Sequence, residues 1–215
     1  MGLRRNVRLG ALVPDKLYTK LRYSKTGVTL TELTPGSRTS IATLLANTLH
    51  QPESGGTAGH QYLLHDTWKQ LYSLYRVLAS KIEVWVINSS SGATTAGIIS
   101  VCAKKESTVA SITLDEGHAL EDPRWKTRIV NTTASKGTYI KGFQKTKHVL
   151  GYTGSNFPES AYSSFDASPT EDWYWHIGAT DFAAGATTLQ LIVRLTAYCE
   201  FSQRANLPNS DEAPA

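Results

Sequence analysis

The sequence predicts an all-β fold: a single antiparallel β-sandwich of two sheets and about eight strands, with the jelly roll as its leading form and one or two short helices in loops. Three observations predict it. From Thr187 to Ser202 the chain alternates without a break, Leu189, Leu191, Val193, Leu195, Ala197, Cys199 and Phe201 on one side against Thr188, Gln190, Ile192, Arg194, Thr196, Tyr198 and Glu200 on the other, which is the period of a half-buried strand. Such a segment spans roughly 50 Å, far beyond the usual strand of five or six residues, and needs a large sheet around it. Shorter alternating segments recur between long loops. Finally, hydrophobic residues make up only 40% of the 215, and Thr, Ser and Gly, which suit strands and turns, fill the difference. That length fits one large all-β domain.

Taken in order, residues 1–14 form a flexible basic arm ending at Pro14, residues 15–203 the sandwich domain and residues 204–215 a flexible tail. Lys16 to Tyr23 reads as the first strand, with Leu17, Thr19, Leu21 and Tyr23 on one side and Lys16, Tyr18, Lys20 and Arg22 on a basic other side; Val28 to Leu33 is its hairpin partner or its continuation. Ser40 to Leu49 has helical spacing at Ile41, Leu44, Leu45 and Thr48, and Gln51 to Gly59 is a surface loop. Asp66 or Thr67 can cap a helix with Trp68, Leu71, Tyr72 and Tyr75 on one stripe. Ser80 to Ile87 switches to strand period, with Ile82, Val84 and Val86 opposite Trp85 and Ile87.

Ala96 to Lys104 and Thr108 to Leu114 read as two further strands, Asp115 to Arg128 as irregular, and Gly137 to Val149 as a strand through Tyr139, Ile140 and Phe143. A long loop follows from Gly151 to Thr170. Asp172 to Gly178 alternates Trp173, Trp175 and Ile177 with Tyr174 and His176, large on both faces, which implies contact on both sides.

Charge is unevenly placed. The whole chain carries +4, but residues 1 to 25 hold Arg4, Arg5, Arg8, Lys16, Lys20, Arg22 and Lys25 against Asp15 alone, a local +6. A basic terminus on a near-neutral body is the footprint of a protein that holds a polyanion. Arg4, Arg5, Arg8, Lys16, Lys20 and Arg22 are therefore the candidate nucleic-acid contacts, reaching phosphates without sequence preference; Arg4 to Arg8 could also serve nuclear import, though the run is too short to be specific. The two cysteines, Cys102 and Cys199, lie in alternating apolar segments without metal-ligand spacing and read as reduced core thiols. No run of eighteen apolar residues occurs, so no membrane span and no membrane partner are expected. The two sequons, at Asn88 and Asn131, are read as unmodified.

Several segments carry a family resemblance. They are Pro14-Asp15-Lys16-Leu17-Tyr18, then Gly59-His60-Gln61 followed by Asp66-x-Trp68-x-x-Leu71-Tyr72-x-x-Tyr75-Arg76-Val77 and Ser80-Lys81-Ile82, then Thr146-Lys147-His148-Val149-Leu150-Gly151, Trp173-Tyr174-Trp175, and Thr196-Ala197-Tyr198-Cys199-Glu200-Phe201. In this order they resemble the capsid proteins of circular, Rep-encoding single-stranded DNA viruses. The resemblance implies a single jelly roll that assembles with itself, in the simplest case into a sixty-subunit icosahedral T=1 shell around a circular single-stranded DNA. It also implies arms facing the genome, a virion location with a nuclear assembly stage, and a host receptor whose identity is open. This chain departs from many relatives in having a short arm. Sixty copies at +6 would supply roughly 360 charges against on the order of 2,000 phosphates, so salt ions would neutralise most of the DNA.

An enzyme is the first rival, but no GxSxG, HExxH, Walker or dinucleotide motif is present, and neither catalytic residue nor cofactor is expected. His60, His65 and Asp66 could be proposed as a metal or acid–base cluster, yet the helix start already gives Asp66 a structural role. Glu121-Asp122 and Glu171-Asp172 read as solvated loop charges, with calcium at a subunit interface as the alternative. A carbohydrate-binding sandwich is the second rival, its stacking platform being Trp173-Tyr174-Trp175; the competing reading packs these rings between sheets or subunits. Loops 50–65, 115–135 and 151–171 are the expected suppliers of contacts between copies.

Overall fold

In a computed structural model that describes residues 13–33, 40–53, 60–88, 96–107, 121, 123–131, 137–153, 157–181 and 187–205, the chain alternates between two sheets. The strands are β1 (Lys16–Leu33), β2 (Ser40–Leu45), β3 (Tyr72–Asn88), β4 (Ala96–Lys104), β5 (Lys126–Asn131), β6 (Thr138–Lys145), β7 (Ser163–Ser164), β8 (Tyr174–Asp181) and β9 (Thr187–Arg204), with short helices α1 (His65–Leu71) and α2 (Thr146–Leu150). One sheet runs β1-β9-β3-β6, with the two-residue β7 added beside β3; the other runs β2-β8-β4-β5. The antiparallel pairs β1·β9, β2·β8, β3·β6 and β4·β5 nest inside one another like a single long hairpin. Rolling that hairpin up adds the pairs β9·β3 and β8·β4. This is the jelly-roll topology, two Greek keys closed over one core.

The predicted alternation sets the layers. Leu189, Leu191, Val193, Leu195, Ala197, Cys199 and Phe201 of β9 are all buried, as are Leu21 and Tyr23 of β1 and Ile82, Val84 and Val86 of β3. Each buried Leu, Val or Ile of this kind contributes about 1.5–3 kcal/mol. β9 lies between β1 and β3, which accounts for its 18-residue length. Val28 to Leu33 continues β1 rather than returning beside it. Gly27, at φ 72°, takes the left-handed conformation at the register shift between Lys25 and Val28 and lets the strand resume on the same partner. Cys102 and Cys199 are buried in the interior.

The structure corrects the local reading in several places. Ser40–Leu45 is a strand, not the start of a helix, because pairing with β8 from Ser40↔Ala179 to Leu45↔Tyr174 outweighs a four-residue spacing pattern. Helix α1 ends at Leu71, since Tyr72 turns extended (φ −135°, ψ 144°), and Tyr72 and Tyr75 pack inward from β3. Its N-cap is Leu64, in the left-handed region at φ 67° and without a side-chain cap, rather than Asp66 or Thr67. The strand expected over Gly137–Val149 stops at Lys145 and gives way to α2, closed by Gly151 at φ 75°. Lys126–Asn131 is a strand, where the sequence was irregular up to Arg128. The strand expected over Thr108–Leu114 lies outside the described residues.

Trp173 and Trp175 are buried between the sheets, with Nε1 donating to Thr146 Oγ1 (3.2 Å) and Ser80 Oγ (3.0 Å). They are core residues, so the sugar-stacking platform does not exist on the surface.

Candidate nucleic-acid interface

Residues opposite one another in an antiparallel pair point to the same side of the sheet, so register alone places the outward face of β1-β9-β3-β6. Its rows read Tyr18, Glu200 and Arg76; then Lys20, Tyr198, Ala79 and Lys145; then Arg22, Thr196, Lys81 and Phe143; then Ser24, Arg194, Glu83 and Lys141; then Ile192, Trp85 and Tyr139. Rows follow at two-residue steps, roughly 7 Å, on strands about 4.8 Å apart. With Lys16 added from β1, the described residues of this face carry eight cations against two carboxylates, Glu83 and Glu200.

Both carboxylates are spoken for. Burial pushes the Glu200 carboxyl up, but hydrogen bonds from Arg76 (2.6 Å) and Tyr162 (2.9 Å) outweigh it and hold it below the ordinary carboxylate range. Lys16 sits 3.3 Å from the same carboxylate, and that hydrogen bond raises its ammonium above the ordinary lysine value. Glu83 follows the same logic: burial pushes it up, while Lys81 at 2.9 Å and the Tyr139 hydroxyl at 2.7 Å hold it down. Among the described residues no carboxylate lies within ion-pair distance of Lys20, Arg22, Arg194, Lys141 or Lys145.

Aromatic rings interleave with those five cations. Lys20 Nζ lies 5.2 Å from the Tyr198 ring centre and Arg194 5.0 Å from that of Trp85. Trp85 and Tyr139 are 5.3 Å apart, and Phe143 meets Tyr198 edge-on at 5.7 Å. Tyr18, Tyr139 and Phe143 are 64%, 38% and 44% exposed. Cations for phosphates and rings for bases are the two components that single-strand binding surfaces combine, because every base has a face to stack.

Of the residues expected to contact nucleic acid, Arg4, Arg5 and Arg8 lie outside the described residues. Lys16, Lys20 and Arg22 stand together on the outward side of β1, although Lys16 is tied to Glu200. Arg194, Lys81, Lys141 and Lys145, with the rings of Trp85, Tyr139, Phe143 and Tyr198, went unrecognised as a site in the sequence. The available signal was their place on the polar side of alternating strands.

Of the rival clusters, Asp122 of the Glu121-Asp122 pair lies outside the described residues, and the histidines have other partners. His65 has both ring nitrogens engaged, Nδ1 with Asp66 at 2.9 Å and Nε2 with the Phe165 carbonyl at 2.9 Å, while His60 stacks on Tyr23 at 4.5 Å. Among the described residues no three His, Cys, Asp or Glu side chains converge as a metal site. Glu171 pairs with Lys105 at 3.1 Å, and burial raises the Asp172 carboxyl.

No family model matches the chain, and no curated protein matches it. Among solved structures it is similar to the decameric BFDV capsid protein, at 14% identity over 87% of this chain and 99% of that one, with a TM-score of 0.48. It is also similar to the semi-empty virus-like particle of the giant freshwater prawn (Macrobrachium rosenbergii) nodavirus, at 13% identity over 97% and 94% with a TM-score of 0.46. A third is cocksfoot mottle virus, at 11% identity over 89% and 97% with a TM-score of 0.46.

Proposed function

We propose that this chain is a viral coat protein whose copies assemble into a closed shell, sixty in the simplest case, around single-stranded DNA. The outward face of β1-β9-β3-β6 and the basic residues 1–14 turn toward the nucleic acid. One observation carries the reading: a jelly roll that gathers Lys20, Arg22, Arg194, Lys141 and Lys145 among the rings of Tyr198, Trp85, Tyr139 and Phe143 on one side. Binding is electrostatic and independent of sequence, with the rings favouring unpaired bases. Residues 15–203 form the shell domain, with Arg204 still in β9.

The face also eases the shortfall of charge on the arm. Arg194, Lys141 and Lys145 add three cations per copy to those of residues 1–25, about 180 per sixty-copy shell, still well short of on the order of 2,000 phosphates. Mobile ions neutralise the rest, and packaging is accordingly sensitive to salt.

Particles purified from an expression host and treated with nuclease test this. Deleting residues 2–13 should lower the 260/280 nm absorbance ratio and leave assembly intact, and adding K20Q and R194Q should lower it further. Unchanged ratios in both would refute the reading. Trp173 and Trp175, the rings on which the carbohydrate-binding alternative relied, are core residues.

A further inference from the structure

The edge strands β5 and β6, one from each sheet, leave a cleft of about 570 Å³ between them, lined by Lys126, Thr127, Arg128, Tyr139, Ile140 and Lys141. That volume is in the range of small-ligand sites. Three cations line it, and among the described residues no carboxylate does, nor does any of the three lie within ion-pair distance of an acidic group. The Tyr139 hydroxyl is held by Glu83 at 2.7 Å.

We propose that this cleft is a phosphate site, where the backbone of a strand lying on the sheet face passes round β6 to the other side of the sandwich. The inference rests on the nucleic-acid reading above. Lys141 makes the two surfaces continuous, since it ends the row Arg194, Glu83, Lys141 on the face and also lines the cleft. Like charges gathered without a counter-charge destabilise the fold, and an oxyanion between them removes that repulsion. Edge strands often carry inward charges that block pairing with another sheet. That use explains Lys126 or Arg128 singly, but it requires neither a cleft of this size nor a third cation from the opposite sheet.

The test compares the full-length protein with a cleft pair, K126Q/R128Q, and a face pair, K20Q/R194Q, using sodium tripolyphosphate and a fluorescent oligothymidylate as probes. Tripolyphosphate should raise the melting temperature of the parent and of the face pair but not of the cleft pair. For the oligonucleotide, the slope of log affinity against log salt should fall by about 1.4 in the cleft pair, two contacts at about 0.7 each, and by about half that in K126Q alone. A cleft pair that keeps both responses overturns the proposal, including one that aggregates while binding as tightly as the parent. Stronger stabilisation by polyglutamate than by tripolyphosphate would reassign the site to a carboxylate partner and overturn it too. If the face pair binds the oligonucleotide normally while the cleft pair alone loses tripolyphosphate, the cleft stands and the face reading fails.

Discussion

Arg76 and Glu200 meet across β3 and β9 as an ion pair whose carboxylate is fully buried, with Arg76 Nη2 2.6 Å and Nε 3.1 Å from one oxygen. The rings of Phe157 and Tyr162 lie 4.9 and 4.6 Å from the guanidinium, and Tyr162 donates to the other carboxylate oxygen. Since both rings belong to the segment between α2 and β7, this one pair fastens that connection to the sheet.

Removing one partner should cost more than removing both. R76M should destabilise the subunit by up to about 3–5 kcal/mol in urea unfolding, because it leaves the buried Glu200 carboxylate with only the Lys16 ammonium and the Tyr162 hydroxyl, while R76M/E200L should recover most of that loss. The Glu200 carboxyl is lower in the fold than in the unfolded chain, so its contribution is present above the ordinary value near 4.3 and fades as pH falls through the folded value. E200Q should therefore lose less stability than the parent on acidification below about pH 4. Equal acid slopes would contradict the assignment.

Gly142 is required by a close approach. A Cβ there would stand 2.8 Å from Trp175 Cζ3 and 3.1 Å from Ile82 Cγ2, and Trp175 is held in place by its bond to Ser80. G142A should cost about 2 kcal/mol and lower the melting temperature by roughly 4–8 °C in calorimetry.

His176 is buried and neutral. Its Nε2–H donates to the Glu106 carbonyl at 3.0 Å and its Nδ1 faces Thr43 Oγ1 at 3.2 Å. Burial is the main reason its pKa drops to about 4. With the folded value below the ordinary 6.5, stability is complete above that pH and declines as pH falls toward 4, since the unfolded chain takes up the proton first. H176Q should flatten that part of the stability profile; an unchanged slope between pH 6.5 and 4 would contradict it.

Trp85 should discriminate strandedness. W85A is expected to weaken binding of a single-stranded oligonucleotide by about 1–3 kcal/mol, or about 5-fold to 150-fold, and to affect duplex of equal length much less. Fluorescence anisotropy with both ligands checks this, and an equal loss for the two would mean that the ring only supports Arg194.

The strands most legible in the sequence are those whose two sides differ in residue type, β9 above all, the first half of β1 and β3 from Ser80 onward, whereas β4 was legible as a short apolar run buried on both sides. β2 was not, because Ile41, Leu44 and Leu45 fit a helical spacing as well as an edge strand, and the deciding partner, β8, lies some 130 residues away in sequence. For the site, a run of basic residues on one side of a single strand disclosed Lys20 and Arg22. Arg194, Lys81, Lys141 and Lys145 each stand apart in the sequence, and only cross-strand register lays them beside β1. Burial of Glu200, which takes Lys16 out of the set, has no local signature either. Some stretches that carry the family resemblance turn out to be packing residues, as Trp173 bonding to Thr146 illustrates.

The most direct measurement is sedimentation velocity of the purified full-length protein over a range of concentration and ionic strength, with negative-stain images of the fastest fraction. The account predicts closed particles of uniform diameter whose nucleic-acid content falls as salt rises. A single slow species of lone subunits under every condition would contradict it.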